Sequence, residues 1–417
     1  MPIVKLVSEN FGNEEAKGLD WYRRQGGYEA ALKALQMEPK AVADEVVTSN
    51  LRGLGGAGFP TGRKWSFVPR NTGKPIYLAV NGDEAEPGTF KDRYILEWDP
   101  HRLLEGIIIC CHAVGIHMAY IYIRGEYVRP YEITHKALNE AYEAGILGQN
   151  VLGTDFQLDV HIHRGAGAYI CGEESALLES LEGKKGWPRL KPPFPAVVGL
   201  FDCPTVINNV ETLAHLPKII QNGGEWFAKI GIERNGGTRL FALSGSVNKP
   251  GVYELPLGTS LRELIYEQGA GILENRKLKG VIPGGASSAI LKADEIDISL
   301  DFDSLNKAGS MLGSGAVIAL DETISAVGAA HNIMHFFAHE SCGQCTPCRE
   351  GTGWVYKILT RLLNGNGHPE DVRNLLDLTV NMTGTSICAL CDGAAMSLKG
   401  FLVKFPEEFE ELCPALR

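Results

Sequence analysis

Alternating strand-like and helix-like segments over residues 75–163 predict an α/β unit on a largely parallel sheet. Short strand-like segments between residues 238 and 320 predict a second, small mixed unit resembling a β-grasp (ubiquitin-like) fold. From residue 323 the periodicity is helical, interrupted by one cysteine loop, and predicts a C-terminal helical unit. The expected organisation is therefore 1–236, 237–322 and 323–417, within a chain of 417 residues.

The elements follow in order. Residues 28–36 and 41–49 are rich in alanine, glutamate and lysine and read as helices. A glycine-dense loop occupies 53–62. The apolar run 75–80 reads as a buried strand, and 81–92 as a polar, turn-rich connection. A helix is expected over 99–114, with Pro100 at its first turn, where a missing N–H costs nothing. Residues 119–123 read as a strand, 131–144 as a helix and 156–163 as a strand followed by another glycine-rich loop. Composition shifts near 223–237. Beyond it, strands are expected at 240–245, 251–254, 281–282 and 316–320, with one helix at 260–268.

Composition narrows the function. Hydrophobic residues make up 44% and charged residues 22%, as in an ordinary globular protein. The net charge of −10, with no long basic run, argues against nucleic acid as a partner. Apolar stretches such as 106–115 are too short to span a bilayer. The N-terminus lacks the apolar core of a signal peptide, so a cytoplasmic protein is expected, with membrane contact only through partner subunits. Ten cysteines in a reducing compartment are then ligands or core residues rather than disulfides.

Four of these carry the strongest signal. Cys342, Cys345 and Cys348 are each separated by two residues in Glu340-Ser341-Cys342-Gly343-Gln344-Cys345-Thr346-Pro347-Cys348, and Cys388 lies 40 positions further on. Three thiolates in one loop and one distant fourth can take the corners of an iron–sulfur cube. Structural zinc more commonly uses paired C-x-x-C hairpins. Cys391 is an alternative fourth ligand. His331, His335 and His339 share one helix face, where a packed or solvated stripe outweighs a metal site.

Gly53, Gly55 and Gly58 match G-x-G-x-x-G, but a helix-like segment precedes them and Pro60 and Gly62 follow. This is not the strand–turn–helix of an ordinary dinucleotide fold. Glycines still permit close backbone approach and an amide nest for an anion, with Arg63 and Lys64 adding positive charge. Asn81–Thr89 and Arg164–Glu174 each follow a strand, at the sheet edge where ligands bind. Residues 207–212 form a fourth polar element, and Phe59, Phe67 and Phe194 could stack on an adenine.

Three of these motifs carry a family resemblance. They are Phe59-Pro60-Thr61-Gly62-Arg63-Lys64-Trp65, Gly172-Glu173-Glu174-Ser175-Ala176 and Glu340–Cys348. The chain resembles, end to end, the NADH-binding flavoprotein subunit of NADH:quinone oxidoreductase, and also the related diaphorase subunits of NAD-reducing hydrogenases and formate dehydrogenases. The resemblance implies a Rossmann-like domain holding FMN. Gly53, Gly55, Gly56, Lys64, Asn81, Asp83, Ala85, Tyr169, Gly172, Glu173, Glu174, Asn208, Asn209 and Thr212 would surround that flavin. NADH would be held by Phe59, Phe67, Glu86, Glu174, Lys191 and Phe194, with Glu174 accepting from the ribose and disfavouring NADPH. Hydride transfer would be carried by FMN, supported by Glu84 and Tyr169. A 4Fe–4S cluster would sit on Cys342, Cys345, Cys348 and Cys388. The implied partners are a thioredoxin-like 2Fe–2S subunit and a larger multi-cluster subunit, at the inner face of the membrane. The family commonly has Arg where Leu54 stands, Ser or Gly at Ala85, and Gly or Ala at Cys391.

Overall fold

A computed structural model describes residues 4–70 and 72–413. Its first sheet is four-stranded and wholly parallel, in the order β3-β2-β1-β4. The strands are β1 (Tyr77–Gly82), β2 (Met118–Ile123), β3 (Asp159–Arg164) and β4 (Thr205–Asn209). From β1 the chain steps outward through β2 and β3, then returns to the opposite side of β1 as β4. The reversal makes a switch point between β1 and β4, and in open α/β sheets the ligand crevice lies beyond the strand ends at such a point.

Both faces of this sheet are covered, which is why its inner strands are apolar runs rather than alternations. Leu78, Val80, Ile121 and Val206 face one core, shared with helix Pro100–Val114 and the N-terminal helices. Ala79, Tyr122 and Ile207 face a second core, shared with helix Glu174–Leu181 and the C-terminal helices. Alternate residues of each strand thus serve different cores, as the two-residue period requires. Helix Pro100–Val114 is the centre of the first core. Its Gly106 lies so close to Leu213 that a Cβ would stand 2.1 Å from the Leu213 carbonyl oxygen.

The second sheet is mixed and five-stranded, in the order β6-β5-β9-β7-β8. It comprises β5 (Thr238–Gly245), β6 (Gly251–Pro256), β7 (Leu278–Ile282), β8 (Leu291–Lys292) and β9 (Ala316–Asp321). β5 and β9 pair in parallel at the centre, and the other pairs are antiparallel. The helix expected at 260–268 is one α-turn, Leu261–Glu263, running into a wider π-turn at Leu264–Gln268. Helices Ala326–Glu340, Thr346–Leu363, Asp371–Met382 and Leu390–Lys404 complete the chain's C-terminal part. Among the described residues, no helix is long and apolar enough to cross a membrane.

Candidate functional site

The switch point gathers most of the residues singled out from the sequence. Asn81 pairs with Asn209, and Val80 with Asn208, at the ends of β1 and β4. Asn81 Nδ2 donates to the Gly172 carbonyl at 2.8 Å, while its Oδ1 accepts from the Asp83 amide at 3.0 Å. Asn209 Oδ1 caps the following turn by accepting from Glu211 N at 3.0 Å, and its Nδ2 donates to Asp92 at 2.7 Å. Asn208 Oδ1 accepts from the Trp65 indole at 3.0 Å. These side chains are fixed by neighbours 91 to 143 positions away in sequence.

The glycine loop closes over this edge. As expected, a helix precedes it (Pro39–Thr48); a short helix not expected from Pro60 and Gly62 also follows (Thr61–Ser66), with Pro60 just before its first turn. The Leu54 amide donates to Thr212 Oγ1 at 2.9 Å, and the Gly53 amide to the Phe59 carbonyl at 2.8 Å. A Cβ on Gly55 would meet Asn209 Cβ at 3.0 Å, a tight approach that would push the asparagine edge back by a few tenths of an ångström. Gly56, at φ +136°, occupies a backbone region that other residues rarely adopt, and faces open space. Leu54 is buried in the first core.

The acidic loop after β1 divides into different roles. Asp83 is buried, its Oδ2 has no hydrogen-bond partner, and burial pushes its carboxyl up to about 8 against the pull of Arg124. Glu84 is fully engaged: its carboxylate accepts from the amides of Lys91 and Asp92 at 2.8 Å and from Tyr127 OH at 2.9 Å. It therefore caps helix Asp92–Trp98, and burial raises its pKa. Ala85 is buried. Glu86 accepts from Tyr169 OH at 2.6 Å and from the Ser287 amide at 2.7 Å. Both Glu86 oxygens thus serve as a strut to the second sheet's loops.

A charged rim borders the crevice. Lys191 Nζ bridges Glu173 at 2.8 Å and Glu174 at 2.7 Å, and Lys64 Nζ stands 3.5 Å from Glu174. Burial opposes the charge on Lys191, but hydrogen bonds to the two glutamates outweigh it and raise its pKa. Burial works equally against Glu174, yet Lys64 and Lys191 together hold its carboxyl below the usual range. Glu173 also caps helix Glu174–Leu181, accepting from Ser175 N at 2.8 Å. Phe59, Phe67 and Phe194 are exposed by 42%, 50% and 57%. The Phe59 and Phe67 centroids are 5.9 Å apart, with planes at 50°. An aromatic ring sandwiched between them would need parallel faces about 7 Å apart, so these two rings must part to admit an adenine.

The four cysteines converge from two loops. Cys342 and Cys345 lie between helices Ala326–Glu340 and Thr346–Leu363, Cys348 in the first turn of the latter, and Cys388 just before helix Leu390–Lys404. Donors point at the sulfurs: the Ile387 amide lies 3.3 Å from Cys345 Sγ, and Ser341 Oγ lies 3.3 Å from Cys348 Sγ. Arg349 Nη1 donates to the Gly343 carbonyl at 2.8 Å and the Trp187 indole to the Cys342 carbonyl at 3.1 Å, fixing the loop. Soft sulfur ligands with amide donors suit an iron–sulfur cube. Among the described residues, no three His, Cys, Asp or Glu side chains are gathered as tightly as one metal ion demands. A cube asks less, since each thiolate takes a separate iron. Cys391 is buried on helix Leu390–Lys404, with its thiol donating to the Met382 carbonyl at 3.4 Å. Two of the three histidines pack against the neighbouring helix: His331 bonds Thr360 Oγ1 at 2.9 Å, and His331 and His335 both pack on Tyr356.

One contact joins the crevice to the cysteine loop. Tyr169 N donates to Glu340 Oε2 at 3.0 Å, two residues before Cys342. Ser287 and Trp187 carry no signal in the sequence, and Trp65 and Glu340 stand there only as members of motifs, without their partners Asn208 and Tyr169. Each acts across a long sequence separation that no local pattern reveals.

Cradle, rim and cysteine loop together define a class: a flavin-binding, iron–sulfur electron-input chain. Residues 46–218 match the Nuo51 FMN-binding domain, 239–318 the SLBB domain, and 328–412 the NADH-ubiquinone oxidoreductase-F iron-sulfur binding region. The chain is 54% identical over 402 residues to an F-type NADH-quinone oxidoreductase subunit of Rhizobium meliloti, covering 95% of this chain and 96% of that one. It is 49% identical to the F-type NADH-quinone oxidoreductase subunit of Streptomyces coelicolor, covering 98% and 91%. In structure it resembles a NAD+-reducing [NiFe]-hydrogenase chain with a TM-score of 0.86 at 35% identity, covering 95% of this chain and 67% of that one. The chain belongs to the family of F-type NADH-quinone oxidoreductase subunits.

Proposed function

We propose that the crevice between β1 and β4 is where this chain performs its family's reaction, NADH oxidation through FMN and a 4Fe–4S cluster into complex I. The carrying observation is the contiguity of glycine loop, asparagine edge and cysteine loop, joined through Tyr169 and Glu340. When bound, the flavin supplies hydride acceptance from NADH and the cluster supplies single-electron transfer.

The chain's own residues bind and orient. Gly55 and Gly56 offer free amides to the FMN phosphate, Gly53 holds the loop closed through its bond to Phe59, and Lys64 stands nearby. Asn81, Asp83, Ala85, Tyr169, Gly172, Asn208, Asn209 and Thr212 shape the flavin pocket. Asp83's unpartnered Oδ2 is a hydrogen-bonding atom available to the flavin. Glu174, held ionised by Lys64 and Lys191, accepts a ribose hydroxyl of NADH and repels the 2′-phosphate of NADPH. Phe59, Phe67 and Phe194 provide aromatic surface for the adenine. Glu84 and Glu86 support the pocket through the helix cap and the strut. Cys342, Cys345, Cys348 and Cys388 hold the cube.

Three units follow, at 1–236, 237–322 and 323–417. The middle one is read as β-grasp, on its leading hairpin, following helix and last strand parallel to the first. The electrons pass to a thioredoxin-like 2Fe–2S subunit and a larger multi-cluster subunit at the cytoplasmic face of the membrane. The likeness to a NAD+-reducing hydrogenase favours a second setting, in which the same electron-input chain serves a hydrogenase. Extracting the purified protein tests the reading: it predicts FMN, and about four iron and four sulfide per chain. Zinc without flavin would sink it. Iron–sulfur partners or a hydrogenase, co-purified with the chain, decide the setting.

A further inference from the structure

Arg239 lies on β5 of the second sheet, yet its side chain reaches the glycine loop. It is wholly buried. Nη2 donates to the Leu54 carbonyl at 3.0 Å and to the Gly313 carbonyl at 2.7 Å. Nε and Nη1 have no hydrogen-bond partner. Burial lowers the guanidinium's pKa to about 10, with Glu211 and Asp92 opposing, so it stays charged at neutral pH. Those carboxylates are themselves engaged, Glu211 by Lys91 at 2.7 Å and Asp92 by Lys91 at 2.8 Å.

A buried cation with unused donors costs stability, and folded proteins seldom keep one without a role. Its position supplies the role. Gly53 and Leu54 use their amides on Phe59 and Thr212, whereas no acceptor among the described residues meets the amides of Gly55 and Gly56. The loop from Gly53 to Gly58 brings no charged side chain of its own. Of the cations beside it, Arg52 is committed to the Gly58 carbonyl at 2.5 Å and to Asp303, Lys64 faces Glu174, and Arg63 is exposed, 6.0 Å from the Phe67 ring.

We propose that Arg239 is a positioning residue that makes this site select the phosphate-bearing flavin. It pins the Leu54 carbonyl inward, which keeps the next amides free for the phosphate, and it sets a buried positive charge behind them. The proposal rests on the reading that the FMN phosphate lies on the glycine loop, and the test separates the two.

The test titrates the full-length, flavin-stripped chain with FMN and with riboflavin, which differ only by the phosphate. The wild type should bind FMN more tightly. Arg239→Met, similar in length but neutral, should weaken FMN by roughly tenfold or more and leave riboflavin within about twofold. Arg239→Lys should fall between them. Equal loss for both flavins would show a purely structural role, and an unchanged FMN affinity would show none; either overturns the proposal. A wild type without preference for FMN overturns the placing of the phosphate, and one binding neither flavin overturns the flavin reading itself, the proposal falling with each. Should Arg239→Met fail to fold, Arg239→Lys decides, by a reduced or an unchanged FMN preference.

Discussion

Thr212→Val isolates one hydrogen bond on which the glycine loop depends. Thr212 is fully buried, and its hydroxyl accepts the Leu54 amide at 2.9 Å. Valine has nearly the same shape but no acceptor. The Leu54 N–H would then remain in the core unpaired, at about 1–3 kcal/mol. The loop can escape that cost only by lifting off the asparagine edge, and flavin binding must reverse the lift. The penalty therefore appears in affinity: at about 1.4 kcal/mol per tenfold, FMN should bind roughly fivefold to a hundredfold more weakly. Thr212→Ser keeps the hydroxyl and loses one methyl, worth about 0.8 kcal/mol of packing. It should lower thermal stability slightly and leave FMN affinity near wild type. Calorimetric titration of the flavin-stripped variants measures both. Wild-type affinity in Thr212→Val, or equal losses in both variants, would refute the reasoning.

Three further expectations follow from the site. Cys388→Ser should abolish the reduced-cluster paramagnetic signal and most bound iron, whereas Cys391→Ser should retain both; the reverse result would make Cys391 the fourth ligand. Lys191→Met removes the cation between Glu173 and Glu174, so the KM for NADH should rise about tenfold with kcat little changed; an unchanged KM in steady-state assays would remove Lys191 from the nucleotide site. Asp83 titrates near 8 when folded, against about 4 when unfolded. The folded chain then holds a proton the unfolded chain has lost, so stability falls as pH rises through that window. Asp83→Asn should narrow the difference in urea midpoint between pH 5 and pH 8, and an undiminished difference would contradict the assignment.

Where chemistry is written in consecutive residues, the sequence was legible. The cysteine loop and Pro100 at a helix start are local patterns, and the structure places both as expected. β4 was not legible as a strand, because Asn208 and Asn209 are poor strand formers that extend only by pairing with β1. Glu84 and Glu86, expected to support hydride transfer and to hold NADH, have their carboxylates engaged within the chain, one capping a helix and the other bracing a distant loop. Arg239 gave no signal, since its partner Leu54 lies 185 positions away. Burial and long-range pairing decide such roles, and neither has a period.

The central claim is that electrons enter at the crevice and leave through the cysteine loop. An anaerobic titration of the purified protein with NADH, following flavin absorption, tests it most directly. The account predicts bleaching by NADH and not by NADPH, followed by the signal of a reduced 4Fe–4S cluster. Bound flavin that NADH leaves oxidised, or bleaching that never reaches the cluster, would contradict it.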